Sequence, residues 1–360
     1  MTTRRAKSGN RQILPTSMLK KIIKKIITPV LRLPSLPESF FYFGFNGRVA
    51  IEVTNACNLR CRLCPTWQHM KRKPGFMSLE NFKKIIDENK DIFKRINLIF
   101  AGEPLLNKDV FKMTAYAEEN GVEVLLSTNT TLFDDDKIKE LFDSGLSILI
   151  VCLDGATKEI HEQYRQGSNF EAVKKNIERI CRLKKEKGLE KPDIILQFLV
   201  MKQNEHQIED IIKLAKELGV DALSLKTLSL GSFTALEEKL KLAEENLPRD
   251  AKYSRFKFED GILEEKSKPE VCSWMRQSLI LWNGDVSLCC YDDDGVLTIG
   301  NIFQDGGLKK ILKSQKYKKY RKGAIQKKFK LCQQCNHSAE SARLIRFNLQ
   351  NGRDPETLPR

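Results

Sequence analysis

The chain has 360 residues, 41 % of them hydrophobic, enough for a sizeable core plus a smaller module and too apolar for a wholly disordered chain. Its formal charge of +15 is concentrated: residues 1–48 hold ten Lys/Arg against Glu38 alone, residues 309–330 hold eleven with no acid, and the remainder is net −5. That distribution argues against a protein that coats nucleic acid along its whole surface, and no nucleic-acid partner is expected.

Residues 1–15 are polar and basic without apolar period and are expected to be disordered. From Met18 to Leu31, apolar Leu19, Ile22, Ile23, Ile26, Ile27 and Val30 recur at helical spacing opposite Lys20, Lys21, Lys24 and Lys25, which predicts a short basic amphipathic helix. It reads either as a packing element or as an anchor on anionic lipid, and the aromatics Phe40, Phe41, Tyr42, Phe43 and Phe45 tip the balance toward the anchor. No apolar run reaches the roughly 20 residues of a spanning helix and no signal peptide is evident. The expected location is cytoplasmic, with peripheral contact at the inner membrane face through residues 18–31.

From Arg48 to Thr227, β-branched runs alternate with helical segments. Strands are expected at 49–54, 96–100, 122–128, 146–153, 194–201 and 222–226, with helices near 78–90, 108–120, 134–143, 157–187 and 205–218, capped by Ser78, Asp134 and Thr157. This alternation specifies an α/β fold, a parallel sheet curled by right-handed crossovers into a full or partial barrel, with chemistry at the C-terminal strand ends. Residues 228–260 are charged, with helical character near 235–246, and read as a linker. Residues 278–282, Asn283-Gly284 and 285–290 read as a hairpin that opens a second module. The expected organisation is a basic extension over 1–47, the barrel over 48–227, a linker over 228–268, a cysteine-rich module over 269–340 and a tail over 341–360.

Ten cysteines in clusters indicate metal binding rather than a disulfide framework. Cys57, Cys61 and Cys64 lie in the loop after the first strand, where three thiols with gaps of three and two can hold one face of a four-iron cube and leave the fourth iron open. A zinc site completed by His69 is the alternative. Cys272, Cys289, Cys332 and Cys335 supply four thiols from three segments, enough to close a second cluster or, alternatively, a zinc site. Cys290, if in a strand, points away from Cys289. Cys152 and Cys181 read as small buried residues, with Cys152 near the expected site.

The Cys57-x3-Cys61-x2-Cys64 segment resembles the signature of the radical S-adenosylmethionine (SAM) superfamily, with Leu63 in place of the more usual aromatic residue. The resemblance implies that the open iron binds the methionine portion of SAM, and that one electron converts SAM to methionine and a 5′-deoxyadenosyl radical. Ala101-Gly102-Glu103-Pro104 resembles the family segment that contacts the SAM amino group, with Ala101 replacing its first glycine. Ser127 and Asn129, Asp154, and Arg165 stand where similar proteins hold the cofactor, the arginine against its carboxylate; Gln197 and Asn204 also lie in a stretch typical of the family. The later cysteines resemble the SPASM/twitch modules that carry an auxiliary 4Fe-4S cluster, with spacing similar to that of the 2-deoxy-scyllo-inosamine dehydrogenases. The architecture thus implied is a partial (β/α)6 radical SAM barrel followed by a small cysteine-rich SPASM/twitch module.

The expected activity is oxidation of an alcohol or C–H site on a small polar or sugar-like substrate, lipid-linked if the anchor is real. Peptide modification is the second reading and a metal-cluster scaffold the third. The acidic run Asp292–Asp294 after Cys290 reads as a solvated turn or, at Asp292, as the acceptor of a substrate hydroxyl proton. The basic run 309–330 reads as a solvated helix or as a dock for a reducing partner such as flavodoxin or ferredoxin.

Overall fold

The computed structural model describes residues 45–230, 235–266, 272, 274, 277–333, 335, 345–349 and 356–357. The helix expected over 18–31 and the aromatics Phe40 to Phe43 lie outside the described residues.

Six strands pair in parallel and in chain order: β1 (Arg48–Ile51), β2 (Arg95–Leu98), β3 (Glu123–Thr128), β4 (Ile148–Cys152), β5 (Asp193–Val200) and β6 (Ala222–Thr227). Helices α1 (Pro65–Gln68), α2 (Leu79–Asn89), α3 (Val110–Glu119), α4 (Asp135–Asp143), α5 (Lys158–Tyr164), α6 (Phe170–Glu186) and α7 (Ile208–Leu218) lie between them. Side chains alternate across a strand, so Ile51, Ile96, Leu126, Leu149, Leu196 and Leu223 fall on one face. There they share a buried core with Phe82, Met113, Ile138, Ile177 and Ile211 of the helices. The other face carries Ala50, Asn97, Ser127, Cys152, Gln197 and Lys226 and forms the interior of a partial (β/α)6 barrel.

Ser78 and Asp134 cap their helices as expected, accepting from the amides of Asn81 and Lys137, whereas Thr157 makes no side-chain cap bond. The single helix expected over 157–187 is two. It breaks at Arg165, where Gly167 takes φ +89° and Asn169 caps α6 by accepting from Ala172 N. This break turns Arg165 out of a helical face and toward the strand ends.

Described segments after β6 extend the sheet on both edges. The hairpin β9 (Ser278–Ile280) and β10 (Asp285–Ser287), followed by β11 (Thr298–Asn301), joins the barrel edge, with β9 parallel to β1. On the opposite edge, β12 (Ile345–Asn348) pairs antiparallel with β6, so the segment expected as a tail supplies a strand. Within the expected linker, α8 (Leu236–Asn246) matches the helical pattern. A separate hairpin, β7 (Phe256–Glu259) and β8 (Ile262–Glu265), turns on Asp260-Gly261, both with positive φ. Asp-Gly between alternating runs is a strong hairpin signal that the linker reading passed over.

Candidate functional site

Cys57, Cys61 and Cys64 follow β1 in an irregular loop fastened to the α5–α6 break: Arg60 N donates to Gln166 O and Arg62 N to Tyr164 O, both at 3.0 Å. The same break carries Arg165, so the thiol loop and the guanidinium are positioned by one piece of chain. Arg165 Nε donates to Asp154 Oδ2 at 2.6 Å, and the side chain is nearly buried. Burial pushes the Cys61 thiol up to about 12 and raises that of Cys57, while Arg165 opposes both shifts.

Glycine is required beneath this loop. Gly102 has φ +76°, and a Cβ there would meet the carbonyl oxygens of Ala56 and Thr54 at 2.6 Å. The close approach allows Glu103 N to donate to Ala56 O at 2.8 Å, which seats the end of β2 against the residue before Cys57.

Three of the expected cofactor-binding side chains spend their polar atoms inside the protein. Glu103 is buried and accepts from Leu105 N, Thr128 Oγ1 and Asn129 N at 2.7–3.0 Å, with burial raising its carboxyl pKa. Asn129 Nδ2 donates to Asn58 Oδ1 at 2.8 Å, and its oxygen accepts from Thr131, so it braces the thiol loop through the neighbour of Cys57. Asp154 accepts from Leu199 N as well as from Arg165. Asn204 ties Asp154 O to Leu199 O, which completes the support. These hydrogen bonds hold the three side chains in place around the thiol loop. Arg165 keeps both terminal nitrogens beyond the Asp154 bond. Ser127 faces the barrel interior, 3.8 Å from Cys152 Sγ, and Gln197 Nε2 reaches the same sulfur at 3.7 Å.

His161 sits behind Arg165, fully buried. Its Nδ1 accepts from Asp154 N at 3.3 Å, so the tautomer places the proton on Nε2, 2.9 Å from Ser168 Oγ. Burial, reinforced by Arg165, lowers its pKa to about 4 and keeps the ring neutral. His69, the expected fourth ligand of a zinc site, instead lies at the surface with Nε2 4.0 Å from Glu238 Oε1.

The second thiol set gathers around the turn after β10. Strand β10 ends at Ser287, so the alternation that set Cys290 opposite Cys289 does not apply. The partly buried Cys290 thiol is pushed well up by desolvation, with a hydrogen bond to Cys289 and the charges of Cys272 and Cys335 adding to the shift. Burial pushes Cys332 up to about 12, with Cys289 and Cys335 adding to the shift. Cys290 is thus a fifth thiol in the neighbourhood of the four that were expected.

Asp292 lies in the turn that follows Cys290. It is wholly buried, Oδ1 accepts from Val296 N, and Oδ2 accepts from Ser287 Oγ and Leu297 N at 2.6–2.8 Å. Three hydrogen bonds from its own turn occupy this carboxylate, which organises that turn. The loop is also tied to both edges of the six-stranded arc. On the β1 side, Arg72 Nε donates to Asp293 O at 2.5 Å and Lys71 N to Asp294 Oδ1 at 2.6 Å. Arg72 simultaneously forms a bidentate pair with buried Glu52, which directly follows β1, at 2.7–2.8 Å. On the β6 side, Tyr291 Oη lies 3.1 Å from Ser229 Oγ, and Arg255 holds Thr227 through both Oγ1 and O. Neither Arg72 nor Arg255 has a role in the sequence reading.

Residues 51–215 match the radical SAM superfamily and residues 272–336 the SPASM iron-sulfur cluster-binding domain. The chain carries a radical SAM domain followed by a SPASM domain. A radical SAM domain binds SAM and a 4Fe-4S cluster, and a SPASM domain binds auxiliary iron-sulfur clusters. An AdoMet-dependent heme synthase of Methanosarcina barkeri is 34 % identical over 177 residues, 48 % of each chain; the protein thus spans about half the length of this relative. Among solved structures, BtrN in complex with AdoMet and 2-DOIA aligns with TM-score 0.52 and 17 % identity over 81 % of this chain and 94 % of that one. Streptococcus suis SuiB bound to its precursor peptide SuiA aligns with TM-score 0.58 and 16 % identity over 99 % and 83 %. Both structural likenesses show the fold. The chain carries thiols that suit these cofactors: burial raises Cys57 and Cys61 in the first set and Cys332 in the second, a condition that binding as thiolates to iron relieves.

Proposed function

We propose that the chain holds one 4Fe-4S cluster on Cys57, Cys61 and Cys64 and a second on Cys272, Cys289, Cys332 and Cys335. We further propose that it oxidises a C–H site, foremost an alcohol carbon, on a small polar or sugar-like substrate in the barrel interior. The observation that carries this reading is the 289–294 loop, tied to the ends of both β1 and β6, which brings the second thiol set to the barrel end where the first resides. When bound, the first cluster with SAM supplies a 5′-deoxyadenosyl radical, and the second supplies an acceptor for one electron.

The protein's part is positioning. Arg165, aimed by Asp154, offers a planar fork to the SAM carboxylate. Gly102, Glu103 and Asn129 fix the thiol loop. Ser127, Gln197 and Asn97, whose Oδ1 is buried without a partner among the described residues, give the interior a polar wall suited to hydroxyl groups. Next to Asn97 in the sheet, Ala50 continues with Leu279, Leu281, Phe100 and Trp274 into an apolar wall. Burial, with repulsion from Asp294 and Asp292, pushes the Asp293 carboxyl up to about 7, which suits it better than Asp292 to take the hydroxyl proton at neutral pH.

Peptide modification is the second reading, favoured by the likeness to SuiB with its precursor peptide. In either case a carrier such as flavodoxin or ferredoxin supplies the reducing electron. Membrane contact through residues 18–31, which would suit a lipid-linked substrate, is tested by liposome flotation with and without residues 1–47. The activity itself is tested by anaerobic reconstitution with iron and sulfide, followed by SAM and dithionite. The reading requires 5′-deoxyadenosine and methionine, whereas their absence with both clusters loaded would leave a scaffold.

A further inference from the structure

The strongest single-sign surface in the described residues lies beside the second thiol set. Helices α9 (Leu308–Lys313) and α10 (Gln315–Ile325) lead into α11 (Lys330–Gln333), which carries Cys332. Lys316, Lys319, Lys322, Lys327, Lys328 and Lys330 are all exposed, and no carboxylate occurs between residues 309 and 330. A merely solvated helix in this same protein looks different: α7 exposes Glu209, Asp210, Lys213, Lys216 and Glu217 with signs mixed. Like charges three or four residues apart destabilise a helix by a few tenths of a kcal/mol per pair, a cost that an oppositely charged partner would offset.

The patch is rigidly coupled to the cysteine. Phe329 packs over Gly323, where a Cβ would meet its ring at 2.8 Å, and lies 5.4 Å from the Tyr320 ring. Leu331 is buried in the main core, and Lys327 acts electrostatically on the half-buried Cys332. Other anionic partners fit less well. Among the described residues the exposed large hydrophobic side chains all lie outside 309–330, so this face offers a bilayer nothing to insert. The tyrosines of α10 are buried or half-buried under its own side chains rather than presented as a stacking platform for bases.

We infer that the lysine face of α10 and the turn leading to Cys332 form the docking surface for an acidic one-electron carrier protein that exchanges electrons with the auxiliary site. This rests on the proposed function for the presence of a redox group at those thiols. One electron crosses between the auxiliary site and the carrier, and no bond is made or broken.

The test uses the full, anaerobically reconstituted chain and an acidic flavodoxin or ferredoxin. Binding is measured at low and high salt for the wild type, for Lys316→Glu/Lys319→Glu/Lys322→Glu, and for a control with Lys213→Glu/Lys216→Glu on α7. The wild type and the control are expected to bind alike and to weaken with salt, and the α10 variant to bind about tenfold more weakly or worse. Its dithionite-driven yield of 5′-deoxyadenosine should equal that of the wild type. Equal carrier binding by the α10 variant overturns the inference, as does tighter wild-type binding to phosphatidylserine vesicles or duplex DNA than to either carrier. If dithionite and SAM give no 5′-deoxyadenosine with the wild type, the proposed function fails separately, while the binding comparison still decides the surface.

Discussion

Gly102 carries a constraint that no other residue type meets. Alanine there must hold φ +76° and press its methyl against two backbone carbonyls that cannot move without displacing Cys57. Gly102→Ala is expected to cost about 2 kcal/mol or more, read as a lower urea midpoint of the metal-free chain; an unchanged midpoint contradicts the packing. Asp292→Asn sets an amide nitrogen against the Leu297 N–H and the Ser287 hydroxyl, and leaving a buried donor unpaired costs about 1–3 kcal/mol. That variant should lose iron from the auxiliary site yet keep dithionite-driven SAM cleavage. Wild-type stability and iron content with substrate turnover abolished would restore Asp292 as a proton acceptor. His161 gives the fold a pH dependence of definite sign. Its pKa is about 4 in the fold against the ordinary 6.5, so the unfolded chain binds the extra proton first as pH drops. The stabilisation, on the order of 3 kcal/mol, is fully present above pH ~6.5 and is lost as pH falls toward 4. Denaturation midpoints of the wild type should fall more steeply over that window than those of His161→Gln, and parallel slopes would show that the ring does not titrate this way.

The 289–294 loop acts as an element because Arg72 ties it to the end of β1. Arg72→Ala removes the partner of Glu52, whose side chain has no solvent contact, and breaking such a pair costs about 3–5 kcal/mol. Hydrogen exchange should then quicken in residues 289–297 more than in β3 or β4, and uniform protection would mean that the latch does not hold the loop. The elements themselves were largely legible from sequence, since alternation and helical spacing are local and the six parallel strands follow from them. Local pattern also explains what was missed. The amphipathic spacing of 157–187 is continuous through Arg165, and only Gly167 and the capping Asn169 mark the break. The parity argument for Cys290 assumed a strand that ends three residues earlier. At the site, the cysteine triad is readable because its spacing lies within eight residues. The tasks of Glu103, Asn129 and Asp154 are not, because their partners Thr128, Asn58 and Leu199 come from other segments and meet only in the fold.

Over the whole molecule, β9 extends the sheet from β1 and β12 extends it from β6, so the SPASM hairpin continues the barrel sheet instead of hanging from a linker. The second thiol set is thereby fixed to the scaffold that carries the first, as the proposed oxidation requires. The central claim is that two separate iron-sulfur clusters occupy these two thiol sets, and Mössbauer spectroscopy with iron and sulfide counting on the anaerobically reconstituted chain tests it most directly. The account predicts about eight irons per chain, falling to about four in Cys57→Ala/Cys61→Ala/Cys64→Ala and to about four in Cys289→Ala/Cys332→Ala, with distinct spectra for the two remainders. About four irons in the wild type, all lost with the first triad and none with the second set, would contradict it.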